Sequence, residues 1–292
     1  MAGNIGIATG VFWNEYGEEC IDKLAKIGYN ALDFSMFTDG HKRLKIFDES
    51  LSDEERYFSS VKNRADGNGV TIAQTHLSFP IDYDTDRERR AIVDKLLPEL
   101  DASLILGAPY VVIHPSRKLS GLGNFAEGVE NYGKIITAVN EHIKGTNLQV
   151  CVENIPIYNK YKYCRVQGAC TRADDLIKYV GKFGVGACLD TGHSHLVGEN
   201  PAYVARKLGK NLKVMHINDN YGIDDDHIMP YTGGINWSQL ATALKEIGYK
   251  GDYCAEIDGL LSRIKRTDRE FMFDVASTNC KLLKKFREEV EG

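Results

Sequence analysis

Eight short, largely apolar runs recur along the chain, at 5–8, 31–36, 71–77, 110–114, 149–153, 184–190, 212–217 and 252–257. Runs of this length without strict polar alternation read as strands covered on both faces. The segments between them carry a helical period instead, with apolar positions returning every three or four residues over 18–27, 53–65, 87–106, 125–143, 172–179, 202–208, 237–247 and 269–286. One helix therefore follows each strand. Ser52 with Glu55, and Thr171 with Asp174, have the spacing of capping boxes, while Gly28, Gly107 and Gly248 stand where helices should stop. Strict alternation implies a parallel sheet, and eight units in about 250 residues predict an α/β fold closed into a (β/α)₈ TIM barrel. An open doubly wound sheet is the alternative, but ATGVFWNEYG after the first strand is not G-x-G-x-x-G.

Composition narrows the class. With 292 residues, 43% apolar and 26% charged, the chain can bury a large core, and one domain spanning 1–292 is expected. A net charge of -5 gives no general attraction to nucleic acid or to an anionic membrane. The start, MAGNIGIATGVF, lacks the basic and apolar regions of a secretory leader, and no run approaches the roughly 20 apolar residues of a membrane span. A cytoplasmic protein is expected. The seven cysteines form no CxxC pair, which fits free thiols in a reducing compartment. The acidic run 48–56 and the charged C-terminal tail read as solvated helix faces.

The strand ends carry the chemistry. QVCVEN ends at Glu153, GACLDTGH carries Asp190, KVMHIND carries His216 and YCAEID carries Glu256, at intervals of 37, 26 and 40 residues, one strand-helix unit each. A parallel barrel brings such residues to one rim. Three carboxylates and an imidazole suit Mn²⁺, Zn²⁺ or Co²⁺ better than Ca²⁺, so one divalent ion is the expected cofactor. His76 and His114 end strands three and four, and His193 follows Asp190 by three residues. A lone residue of this kind at a strand end equally serves to cap a helix or satisfy a loop. Together, several buried carboxylates are costly without a cation to offset them. Cys151, Cys188 and Cys254 each precede a ligand by two, so they should point into the barrel below the metal as a layer of small core side chains.

The ordered set HLS, IHPS, VEN, CLDTGH, HIND, DxH (Asp225 to His227) and AEID resembles the xylose-isomerase-like barrel superfamily over about residues 5–260. That superfamily contains sugar phosphate isomerases and epimerases, ketose 3-epimerases, inosose-processing enzymes and endonuclease IV. In the ketose 3-epimerase branch one divalent ion is held by residues that correspond to Glu153, Asp190, His216 and Glu256. The resemblance implies that Glu153 and Glu256 also exchange protons with opposite faces of a substrate carbon, through a metal-stabilised enediolate. It implies that His193 hydrogen-bonds a substrate oxygen, with His76 and His114 on the substrate side of the same mouth. The substrate would be a small sugar, sugar phosphate or cyclitol, and a homo-oligomer is compatible with it. Many ketose 3-epimerases carry an arginine shortly after the strand-seven histidine, where this chain reads HINDNYGIDDDH.

A dehydratase or lyase on the same barrel is one alternative. Endonuclease IV is the other: it uses three zinc ions, and His76, His114, Glu153, Asp190, His193, His216, Asp225, His227 and Glu256 match its ligand positions. Its substrate would be abasic DNA. Against it, only NKYKYCRVQ (159–167) interleaves basic and aromatic residues, and NIGIATG lacks an HVS-like first strand. DDDHIMPYTGGINW is most similar to members described as sugar isomerases. Arg117 and Lys118 are candidates for phosphate recognition, and Phe12, Trp13, Phe34, Phe37 and Tyr158 either for walling a sugar or for core and loop packing.

Overall fold

The computed structural model describes residues 3–115, 125–158, 165–166 and 170–292. Among them, eight parallel strands form one sheet: β1 (Ile5–Ala8), β2 (Ala31–Ser35), β3 (Thr71–His76), β4 (Tyr110–Ile113), β5 (Gln149–Glu153), β6 (Gly186–Asp190), β7 (Leu212–His216) and β8 (Tyr253–Ala255). Neighbours in sequence are neighbours in the sheet, and β1 pairs with β8. The β7–β8 seam closes just beyond β7, where Ile217 N donates to Cys254 O at 2.8 Å and Glu256 N donates to Ile217 O at 3.1 Å. The fold is the predicted TIM barrel.

The outer ring is α1 (Glu19–Ile27), α2 (Leu51–Gly67), α3 (Asp86–Leu106), α4 (Phe125–His142), α5 (Ala173–Phe183), α6 (Pro201–Leu208), α7 (Trp237–Glu246) and α8 (Phe271–Glu291). Their apolar faces pack against the outward side chains of the strands in one continuous core. Phe12, Trp13 and Phe34 belong to this core, with the Trp13 and Phe34 rings edge to face at 4.8 Å. Of the two roles open to them, core packing and walling the mouth, these three take the first, where large rings are most stabilising.

Inside the barrel the side chains are small. Cys151 and Cys188 pack with Val112 and Val214, and Cys254 packs with Ala31 and Ala73. This is the expected layer of soft core residues, and Gly186 makes room for it: a Cβ there would stand 2.7 Å from Cys151 Sγ.

Two capping expectations are corrected. Helix α2 begins at Leu51, so Ser50 is its N-cap rather than Ser52, and α5 begins at Ala173 with Arg172 as N-cap. Thr171 instead donates its hydroxyl to Ile155 O at 2.9 Å. The reciprocal box sits at Thr85 and Glu88, ahead of α3. Gly28 and Gly107 cap α1 and α3 with φ of 110° and 72°, as helix stops require.

Between strands and helices on the C-terminal side lie pieces the periodicity did not predict. They include short helices at Gly10–Tyr16, Thr191–Leu196 and Asp258–Ile264, and an antiparallel ribbon joining Phe37–Thr38 to Lys42–Arg43. A second ribbon joins Ile157–Tyr158 to Arg165–Val166. Arg117, Lys118 and most of 159–167 lie outside the described residues, as does the side chain of Tyr158. No described helix is long and apolar enough to cross a membrane.

Candidate metal centre

Glu153 closes β5, Asp190 closes β6, His216 closes β7, and Glu256 follows β8 directly. One ligand atom from each lies within 4.8 Å of one from every other. Strand register aligns them, Asp190 opposite His216 and Glu153 opposite Cys188. His216 Nδ1 stands 3.3 Å from Glu153 Oε2 and 3.2 Å from Glu256 Oε2. Asp190 does two jobs: its Oδ1 accepts from His193 N at 2.6 Å as the N-cap of Thr191–Leu196, and its Oδ2 accepts from Asn218 Nδ2 at 2.7 Å.

Glu153 is the hub. His76 Nε2 and His114 Nε2 approach its Oε2 at 3.4 and 3.1 Å, and His193 Nδ1 approaches its Oε1 at 3.0 Å. His76 and His114 also meet each other, Nε2 to Nε2, at 3.1 Å. Both Glu153 oxygens and both His216 nitrogens are nevertheless buried without an aligned hydrogen bond. Buried polar atoms rarely go unsatisfied, and a cation beside Glu153 and His216 Nδ1 would satisfy those atoms, while His216 Nε2 faces Asp33 Oδ2 at 3.0 Å. The donors fit a divalent ion.

A second group adjoins the first. His193 Nε2 meets Asp225 Oδ2 at 3.3 Å, and Asp225 Oδ1 meets His227 Nε2 at 3.2 Å. His227 has a φ of 44°, a left-handed backbone uncommon outside glycine and typical of constrained functional loops. The loop carrying it is tied down by Asp219, which accepts from Gly233 N at 3.0 Å, Ile235 N at 3.2 Å and Trp237 Nε1 at 2.9 Å. That anchoring accounts for HIND and GGINW physically.

The electrostatics separate the two glutamates. Burial raises the Glu153 carboxyl, but His216, His114 and His193 outweigh it and hold the group well below the usual carboxylate range. Glu256 goes the other way: burial, helped by Asp258 and Glu153, pushes it up to about 7 against the pull of His216 and His227. Two carboxyls in one site thus differ widely in proton affinity.

All nine residues expected at the mouth are there. Sequence inspection missed their supports: Asp33, Asn154, Asn218, Asp258 and Phe79. Asn154 bridges β5 and β6, donating to Asp190 O at 2.9 Å and accepting from Asp190 N at 2.8 Å. Phe79 packs on the His114 ring at 4.1 Å and on Phe37 at 5.0 Å, so Phe37 does reach the mouth. Ser78 of HLS gives its N–H and hydroxyl to buried Glu99, at 2.7 and 2.6 Å, and Arg43 pairs with the same carboxylate at 2.7 Å. A cavity of about 160 Å³ opens beside Glu256, lined by Ser35, Phe37, Thr38, His41 and Asp258. A larger cavity of about 370 Å³ lies at the opposite end of the barrel, bordered by Lys210, Lys213 and Lys250, away from the ligand set.

A parallel barrel with carboxylates and imidazoles converging at its C-terminal mouth defines a barrel protein with a metal-type site. The family described as xylose isomerase-like TIM barrel matches residues 21–272, and the chain belongs to it. A D-psicose 3-epimerase of Ruminiclostridium cellulolyticum is 25% identical over 256 residues, 84% of this chain and 79% of that one. An inosose isomerase of Bacillus velezensis is 24% identical over 241 residues, 80% of each chain. The crystal structure of a D-tagatose 3-epimerase-like protein superposes with a TM-score of 0.74 at 20% identity, covering 98% of both chains. Other curated relatives match over less, the chain spanning 52% and 61% of the length of two of them.

Proposed function

We propose that this protein is a divalent-metal-dependent isomerase or epimerase of a small sugar or cyclitol. The observation that carries the proposal is the buried, unsatisfied set of Glu153 and His216 atoms facing Asp190 and Glu256. Glu153, Asp190, His216 and Glu256 would hold the ion. When bound, it would polarise a substrate carbonyl and stabilise the enediolate formed by loss of the neighbouring proton.

The chain's own groups then divide the work. Glu153, held ionised, is the residue suited to accept a proton from carbon at a carboxylate oxygen. Glu256, on the far side of the same ligand set, is the residue placed to return a proton on the other face. His193 has Nδ1 committed to Asn154 O at 2.9 Å, which leaves Nε2, in its longer 3.3 Å contact with Asp225, to meet a substrate oxygen. His76, His114 and Phe79 would wall the opposite side. The names of the relatives, psicose epimerase and inosose isomerase, support a polyhydroxylated carbonyl substrate.

Incubation with candidate ketoses, inososes and sugar phosphates in deuterated water tests this. Wild-type protein should exchange a substrate C–H proton, and Glu153→Gln and Glu256→Gln should abolish exchange; full exchange in either variant would sink the two-glutamate mechanism.

A hydrolytic alternative is favoured by one observation: further ligand groups, His76 with Glu153 and His216, and Asp190 with His193 and His227, adjoin the first. Several ions held there would suit in-line phosphoryl displacement on abasic DNA. Metal stoichiometry separates the two.

A further inference from the structure

Asp33 lies inside the barrel on β2, 1% exposed, where Ala31, Ala73 and Cys254 form a small apolar cluster. A carboxylate there costs several kcal/mol unless something meets it. Two groups do. Gln74 Nε2 on β3 donates to Asp33 Oδ2 at 2.8 Å, and His216 Nε2, across the barrel on β7, stands 3.0 Å from the same oxygen. The register between β2 and β3 shifts at Leu32/Asp33. Such irregularities re-aim a side chain and recur beside active sites.

His216 is thus caught between carboxylates on both edges. Its Nδ1 faces Glu153 and Glu256 and its Nε2 faces Asp33, the latter approach being oblique to the ring N–H direction. A neutral imidazole carries one N–H and one lone pair, and the partner of one nitrogen decides which is which. Gln74 Nε2 donates to Asp33 Oδ2, so that oxygen is an acceptor; with Nδ1 turned to the two carboxylates that would share the ion, Nε2 is the nitrogen left to carry the N–H.

We propose that Asp33, fixed by Gln74, is a positioning residue that holds His216 as the Nε2–H tautomer and so presents the Nδ1 lone pair to the metal. The inference rests on the metal-centre reading above. Asp33 belongs to none of the convergent ligand groups; it acts through the ring.

The test has two parts. Long-range proton-nitrogen spectra of ¹⁵N-histidine protein loaded with Zn²⁺, with His216 assigned by comparison with His216→Gln, should show the proton on Nε2; a proton on Nδ1 overturns the proposal. Calorimetric titration with Co²⁺ should show affinity falling about 10–100-fold in Asp33→Ala and by a smaller factor in Gln74→Leu. Folded Asp33→Ala that binds within twofold of wild type overturns it. If Asp33→Ala does not fold, Gln74→Leu and the wild-type spectrum decide. Failure of the wild type itself to bind Co²⁺ or Zn²⁺ would instead overturn the underlying metal centre.

Discussion

Asn218 donates its side-chain amide to Asp190 Oδ2 at 2.7 Å, so a residue two positions past His216 fixes the carboxylate at the end of the neighbouring strand. Asn218 N in turn donates to Thr191 Oγ1 at 3.0 Å, which fixes the backbone that carries the amide. Replacing Asn218 with Ala should free the buried Asp190 carboxylate, lower divalent-metal affinity about 10-fold and cost about 1–3 kcal/mol of stability. Calorimetric titration of the folded variant checks this.

Gly192 in the DTGH motif is explained by the same residue. A Cβ at position 192 would collide with Asn218 Oδ1. Gly192→Ala should destabilise the fold by about 1–3 kcal/mol and weaken metal binding with it. Urea denaturation and metal titration on one preparation would read both.

Glu99 is completely buried on α3 and holds Ser78 and Arg43 together. Glu99→Ala leaves Arg43 and two Ser78 donors without their partner, so a loss of about 3–5 kcal/mol is expected in chemical denaturation. A loss below about 1 kcal/mol, the scale of a surface pair, would show that water replaces the contact.

The Glu256 carboxyl gives a pH dependence with a definite sign. Burial first, then Asp258 and Glu153, raise it to about 7 from an ordinary value near 4.5. Its contribution to the stability of the protein without metal is therefore present in full below the unfolded value and lost as pH rises through about 7. Metal binding needs the carboxylate, so apparent Co²⁺ affinity should rise over the same interval. Thermal melts and Co²⁺ titrations across that range check the pair of opposed trends; a flat affinity profile would contradict it.

Much of this was legible in the chain because fully covered parallel strands appear as uninterrupted apolar runs. Glu153, Asp190 and His216 stand at the ends of such runs, where any ligand on a parallel barrel must stand. Asp33 was not legible: it sits within ALDFS, where a strand interior leaves no signal for a side chain reaching across to β7. Glu99 was not legible either, because its partners come from a loop and a ribbon that no periodicity marks. Phe12, Trp13 and Phe34 were ambiguous for the opposite reason, since the same large rings serve a core or a sugar-binding wall. Caps at Ser52 and Thr171 were misplaced by the one or two residues that separate a helix start from its periodic face.

The central claim is that Glu153, Asp190, His216 and Glu256 hold a divalent ion. Plasma mass spectrometry on untagged protein purified without added metal measures it directly. About one equivalent of manganese, cobalt or zinc per chain, lost in Glu153→Gln, is the expected result. About three zinc ions per chain would contradict the single-ion account in favour of phosphodiester hydrolysis, and no bound metal, before or after incubation with Co²⁺, would contradict the metal centre itself.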